Sequence, residues 1–109
     1  MPTKQLMSNL AHDLEMADMR SEILRALGNP ARLRIVAYLC IAEEKTVGEI
    51  CGALDLSQST VSQQLASLRL HGLVRVRREG GFRHYSIAMP HVPDLMACLA
   101  RCCRARTGD

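Results

Sequence analysis

Aromatic side chains are nearly missing from this sequence: they make up 3% of 109 residues, with no Trp and one Phe. A core without large rings has to be filled by Leu, Ile, Val, Ala and Met, which suits packed helices better than an all-β sandwich. No apolar run approaches the ~20 residues that a bilayer-spanning helix needs, so no membrane association is expected. Residues 1–20 contain no apolar stretch of the kind that marks a secretory signal. The five cysteines are an odd number without framework spacing, which predicts reduced thiols and a cytoplasmic location rather than a disulfide scaffold. His12, His71, His84 and His91 are scattered and have no evident nucleophile partner, so an enzyme is not expected. No repeat, low-complexity tract or long linker interrupts the chain, and 1–109 reads as one domain. A domain of this size buries a modest fraction of its surface, so subunit pairing would help it.

Acidic residues are also scarce in the C-terminal part. Residues 1–68 carry six Lys or Arg against eight Asp or Glu, whereas residues 69–109 carry eight Arg against three acids, Glu79, Asp94 and Asp109. The basic character is therefore local, and there it is all arginine. A guanidinium offers a planar fork of donors that matches phosphate and guanine edges.

Hydrophobic periodicity supplies the elements. Leu6, Leu10, Leu14, Met16, Met19, Ile23 and Leu27 recur at three- and four-residue steps, as one long or two short amphipathic helices. Gly28-Asn29-Pro30 ends that pattern, with Pro30 set to open the next helix, which runs from 31 to about 42. Thr46 with Glu49 reads as a capping box before a short helix. Asp55-Leu56 reads as a tight turn and Ser57 as a second N-cap. The helix after it runs to about 71, with Val61, Leu65 and Leu68 as its core stripe. Beyond Gly72 the period changes from 3.6 to 2. Leu73 to Arg78 alternates as a strand, Glu79-Gly80-Gly81 turns, and Phe82 to Ile87 returns, giving a hairpin over 73–87. Pro90 and Pro93 open a last helix over about 91–104. A lone hairpin is marginal, so it must pack on the helices.

Two short helices joined by so tight a turn must cross steeply, which makes 46–71 a helix-turn-helix. On its second helix, the face opposite the core stripe carries Gln58, Ser59, Ser62 and Gln63, with Ser57 and Thr60 at the N-terminal end. That end of a recognition helix enters the major groove. Gln can bond adenine through two hydrogen bonds, Ser and Thr can reach bases or phosphates, and the helix N-terminus suits a phosphate. Arg69 near the end of that helix is a further candidate DNA contact, and directly after the helix the hairpin arginines Arg75, Arg77, Arg78 and Arg83 are placed to meet the minor groove or the backbone. The expected fold is mainly α with a β-hairpin wing, a winged helix-turn-helix, and the expected partner is double-stranded DNA. A winged-helix module that binds protein instead would show binding insensitive to salt.

The run from Leu27-Gly28-Asn29-Pro30-Ala31-Arg32-Leu33-Arg34-Ile35 through Val47-Gly48-Glu49-Ile50, Leu56 to Leu65, Leu68 to Val74 and Arg83 to Ile87 resembles the ArsR/SmtB family of metal-sensing repressors. The likeness covers roughly residues 22–100. It implies a homodimer that sits on a palindromic operator and leaves it when inducer binds, paired through terminal helices at about 6–20 and 91–104. A twofold protein for symmetric half-sites agrees with that.

Family members place their inducer sites differently. The C-x-C-x-x-C site at the start of the first helix of the motif falls on Thr46, Gly48 and Cys51, so only its last thiol is present. The Asp/His site of the final helix meets His91 and Asp94, then Cys98, Arg101 and Cys102, without the later nitrogen and oxygen ligands. Cys98, Cys102 and Cys103 crowd the final helix, and soft thiolates select soft ions. In relatives with a cysteine pair there the usual inducer is As(III) or Sb(III). Those two ions are the expected inducers, with another soft metal ion as an option and no constitutive cofactor. Cys103 points about 100° round the helix from Cys102, so a three-thiolate site needs fraying or a contribution from the partner subunit. The alternative is a redox or reactive-sulfur sensor that joins Cys40 to Cys102 or Cys103. Relatives of that kind carry the earlier cysteine nearer the position of Ala37.

Overall fold

The computed structural model describes residues 3–108. Helices α1 (Lys4–Glu15), α2 (Ala17–Leu27) and α3 (Pro30–Ala42) lead into a short strand β1 (Glu44–Thr46), then α4 (Val47–Leu54) and α5 (Gln58–Leu70), the hairpin β2 (Val74–Glu79) and β3 (Phe82–Ile87), and α6 (Val92–Thr107). The fold is a winged helix-turn-helix, mostly helical with a three-stranded antiparallel sheet.

Local chemistry explains most of the boundaries. Asn29 caps α3 through its side-chain oxygen, which accepts from the Arg32 amide at 3.1 Å, and Pro30 stands at the first helical position where its missing N–H is harmless. The Thr46 hydroxyl accepts from the Glu49 amide at 3.3 Å while the Glu49 carboxylate accepts from the Thr46 amide at 3.0 Å, a complete capping box. Between α4 and α5, Asp55 takes a left-handed conformation (φ 54°) that Asp tolerates better than most residues. The hairpin turns on Gly80 and Gly81, both at positive φ (59° and 80°), the pair a tight two-residue turn requires.

Three elements add to or correct the sequence expectation. The first periodic segment takes the two-helix form of the two left open, dividing at Met16 into α1 and α2, so the helix expected at about 6–20 is not a single one. Met16 is the hinge: its amide donates to the His12 carbonyl at 3.1 Å and closes α1. The last helix runs three residues past 104, to Thr107, and ends on left-handed Gly108. The hairpin also has a third strand. β1 pairs with β3 through Glu44↔Ser86, Lys45↔Tyr85 and Thr46↔His84, which places β3 in the centre of the sheet in the order β1-β3-β2.

One core joins these pieces. Ile35, Val36 and Leu39 of α3, Ile50 of α4, Val61, Leu65 and Leu68 of α5, Leu73 just before the sheet, and Val74 and Tyr85 within it are all buried together with Ala26, Leu27 and Val92. Burying an aliphatic side chain of this size contributes about 1.5–3 kcal/mol, so α5 is held by its inner stripe and leaves its other face free. By contrast α1 buries nothing. Leu6, Met7, Leu10 and Leu14 are exposed, as are Met19 and Leu24 of α2.

Candidate nucleic-acid interface and thiol sites

Ser57 organises the start of α5. Its hydroxyl accepts from the Thr60 amide at 3.1 Å and donates to Thr60 Oγ1 at 2.8 Å, with Ser59 Oγ 3.2 Å away. The next residues out, Gln58, Ser59, Ser62 and Gln63, are on the face opposite Val61, Leu65 and Leu68, and all four are exposed. Two arginines of α3 fix the motif from behind. Arg32 donates from Nη1 to Ser67 Oγ of α5 at 2.8 Å, and Arg34 donates from Nη2 to the Leu54 carbonyl at the end of α4, also at 2.8 Å. The Arg32 Nε is buried without a partner, so the guanidinium is committed to this helix–helix seam.

The wing stands beside α5. An open groove of about 700 Å3 runs between them, lined by Gln58, Ser62, Ala66, Arg69 and Leu70 of α5, Val47 of α4, and Arg83 and Tyr85 of β3. Polar recognition-helix side chains and two arginines thus share one surface. The five C-terminal arginines named from the sequence do not all stand alike. Arg69, Arg78 and Arg83 are exposed and have no carboxylate partner among the described residues. Arg75 donates to the Ala88 carbonyl at 3.2 Å. Arg77 is gripped by Glu44 and Glu79, and its guanidinium holds both carboxyls below the usual glutamate range, chiefly through hydrogen bonds.

The thiols divide into two places. An apolar groove of about 460 Å3 between α3 and α6 is lined by Leu33, Ala37, Cys40 and Ile41 on one side and by Pro93, Met96, Ala97, Leu99, Ala100 and Cys103 on the other. Cys40 and Cys103 therefore face a common space, although α3 and α6 lie far apart in sequence. Burial pushes the Cys40 thiol up, which keeps it protonated and a weaker nucleophile at neutral pH. Cys98 and Cys102 are exposed one helical turn apart and do not line that groove. Among the described residues, no group of three or more His, Cys, Asp or Glu side chains converges on a possible metal position. Cys51 is half-buried against the core. His91 and Asp94 approach to 3.5 Å at the start of α6 but are wide open to solvent.

Residues 29–76 match the family model described as bacterial regulatory protein, arsR family. An uncharacterized HTH-type transcriptional regulator, Rv0081 of Mycobacterium tuberculosis strain H37Rv, is 39% identical over 80 residues, which cover 72% of this chain and 69% of that protein. The chain belongs to the arsR family of bacterial regulatory proteins. The arsenical resistance operon repressor of Escherichia coli K12 is 39% identical over 72 residues, 66% of this chain and 61% of that one. Among solved structures, the transcriptional regulator HlyU from Vibrio vulnificus superimposes with a TM-score of 0.75 at 35% identity, covering 85% of this chain and 96% of its own. This arsR-family chain is accordingly a winged-helix, DNA-binding transcriptional regulator.

Sequence reasoning missed several positioning residues of this arsR-family fold. Arg32, Arg34, β1 and the Glu44–Arg77 pair all act through partners 20 or more positions away. Only the polar run Glu43-Glu44-Lys45 before the capping box hinted that acids lay near the wing.

Proposed function

We propose that this chain is a transcriptional repressor that binds palindromic operator DNA as a homodimer in the cytoplasm and is released by a thiophilic inducer. The observation that carries the DNA reading is the shared groove, where Gln58 and Ser62 of a capped, outward-facing helix meet Arg69 and Arg83. In this reading the start of α5, from Ser57 to Gln63, enters the major groove. Arg69, Arg75, Arg78 and Arg83 reach flanking phosphates or the minor groove. Leu6, Met7, Leu10 and Leu14 of α1 and Met19 and Leu24 of α2 are exposed, and pairing through terminal elements would cover them. Among the described residues, no helix is long and apolar enough to cross a membrane.

The inducer proposed is As(III) or Sb(III), bound by Cys98, Cys102 and Cys103. Cys98 and Cys102 stand on one face of α6, and the third thiolate comes from Cys103 after fraying of the helix end, or from the partner subunit. Each thiol that replaces a hydroxyl on trivalent arsenic releases one water, with no change of oxidation state. Resemblance to the Escherichia coli arsenical resistance repressor supports this inducer class. In fluorescence-anisotropy titrations on operator DNA, arsenite should lower affinity. The variant Cys102→Ser with Cys103→Ser should bind DNA normally and ignore arsenite; an unaltered arsenite response would refute the site.

A second reading is supported by the groove that Cys40 and Cys103 both line. Here two thiols lose two protons and two electrons to a polysulfide, whose S–S bond is cleaved to hydrogen sulfide, and a Cys40–Cys103 disulfide forms. Cys40→Ser separates the two readings. It leaves the arsenite response intact in the first and abolishes a polysulfide response in the second, where mass spectrometry should find the cross-linked peptides.

A further inference from the structure

We infer that Arg77 is a positioning residue of the wing and not one of its DNA contacts, an inference that rests on the operator-binding reading above. Arg77 lies on β2 opposite His84 of β3, which in turn lies opposite Thr46 of β1. Its guanidinium reaches across the central strand to β1. Nε donates to Glu44 Oε2 at 3.2 Å and Nη2 to Glu44 Oε1 at 2.7 Å, a two-pronged grip, while Nη1 donates to Glu79 on its own strand. All three nitrogens are thus occupied by carboxylates. The local charge of the trio is net negative, so turning Arg77 toward a phosphate would leave two carboxylates facing the DNA. Among the described residues, Arg78 next to it has no such partner.

The grip fixes the wing where it matters. Glu44 begins a strand that ends at Thr46, and Thr46 is the N-cap of α4. Through Arg77 the outer strand of the wing is tied to the segment that starts the helix-turn-helix, bridging β3. Arg78 and Arg83, a register pair near the tip of the hairpin, are then carried at a set distance from the start of α5. A planar fork is needed for this, and a lysine point charge cannot reproduce it.

The test uses full-length protein and a duplex selected by it from a random-sequence pool, with affinity measured by anisotropy over a range of salt. Each phosphate neutralised by a cationic side chain adds about 0.9 to the slope of log affinity against log salt. Arg78→Ala should therefore flatten that slope by about 0.9 for each protomer bound. Arg77→Ala should weaken binding and leave the slope unchanged, and Arg77→Lys should not restore it. Glu44→Gln should also weaken binding, because it releases the grip. If Arg77 is instead a masked phosphate contact, Glu44→Gln will tighten binding and steepen the slope, and Arg77→Lys will retain most affinity; either result overturns the inference. Thermal melts confirm that these exposed-site variants fold. Gln63→Ala and Arg78→Ala serve as the separate check: if neither alters operator affinity, the operator-binding reading itself fails, and the inference with it.

Discussion

Ser57 performs two tasks that substitution can separate. Its hydroxyl satisfies the Thr60 amide at the start of α5, and the same helix end is proposed to face a phosphate. Ser57→Ala removes the cap. Because Val61, Leu65 and Leu68 keep the helix anchored in the core, the loss is confined to the first turn and should be about 1 kcal/mol, lowering Tm by roughly 4–8 °C for a chain of this size. Fraying that turn displaces Gln58 and Ser59, so operator affinity should fall by a similar free energy, about fivefold. Ser57→Asp behaves differently. Aspartate caps as well as serine and is favoured by the helix dipole, so thermal stability should stay within a few tenths of a kcal/mol of the parent. Its carboxylate would, however, stand near a phosphate. At a separation of ~5 Å and an effective dielectric between that of water and that of a protein surface, repulsion amounts to about 1–3 kcal/mol, or roughly five- to 150-fold in affinity. That penalty should shrink as salt is raised, while Ser57→Asn, a cap without charge, should bind close to normally. Circular-dichroism melts and anisotropy titrations at two salt concentrations read both quantities. A Ser57→Asp protein that binds operator as tightly as the parent at low salt would refute the placement of a phosphate at this helix end.

Other perturbations test the fold and the thiols. Leu65→Ala empties the middle of the core from a fully buried position and should cost about 2–5 kcal/mol in urea unfolding; a cost below about 1 kcal/mol would mean that α5 is not packed as described. In timed alkylation with iodoacetamide, followed by mass spectrometry, the exposed Cys98, Cys102 and Cys103 should react before half-buried Cys40, whose thiol is held up by desolvation. Cys40 reacting first would contradict that placement. Glu44, Glu49 and Glu79 all have carboxyls held below the ordinary glutamate range: Glu44 and Glu79 by Arg77, Glu49 by the Thr46 amide and hydroxyl. Folding therefore gains from their ionised forms above the unfolded glutamate range, and the gain disappears as pH falls through the lower folded values. Melting temperatures should drop between about pH 5 and pH 3, and less steeply in Arg77→Ala; parallel curves would show that Arg77 does not set the Glu44 and Glu79 carboxyls.

Features governed by neighbours in sequence were legible from the residues alone. The α5 stripe, both N-caps and the Gly80-Gly81 turn follow from spacing of three or four residues or from a single backbone requirement, and each appears where the sequence placed it. What escaped reading depends on distant partners. Glu44-Lys45-Thr46 has no alternation and is too polar to announce a strand; it is one because β3 offers an open edge beside it. Met16 carries no helix-breaking signal, so spacing alone left one long helix and two short ones both open, and it is at Met16 that α1 stops. Arg77 looks like its neighbours Arg75 and Arg78 in the sequence, and only the fold brings Glu44, 33 positions away, against it.

The cysteines show the same division more sharply. Three thiols within six residues look like one site in a linear sequence. On a helix, Cys102 lies about 40° from Cys98, whereas Cys103 lies about 140° away. That angle could be calculated from the sequence; which neighbour each face meets could not. All three α6 thiols are exposed, but only Cys103 lines the groove against α3, where Cys40 lies on the other side. A trivalent ion that needs three thiolates must therefore draw the third from a frayed helix end or from the partner subunit. A two-thiol oxidation would instead join Cys40 to Cys103 across the groove that both line. The two proposed chemistries thus make opposite demands on Cys98: arsenite sensing should weaken in Cys98→Ser, measured as the arsenite concentration that half-releases the operator, whereas a polysulfide response should be untouched. A Cys98→Ser protein with an unchanged arsenite midpoint would remove Cys98 from the ligand set and point to the α3–α6 groove instead.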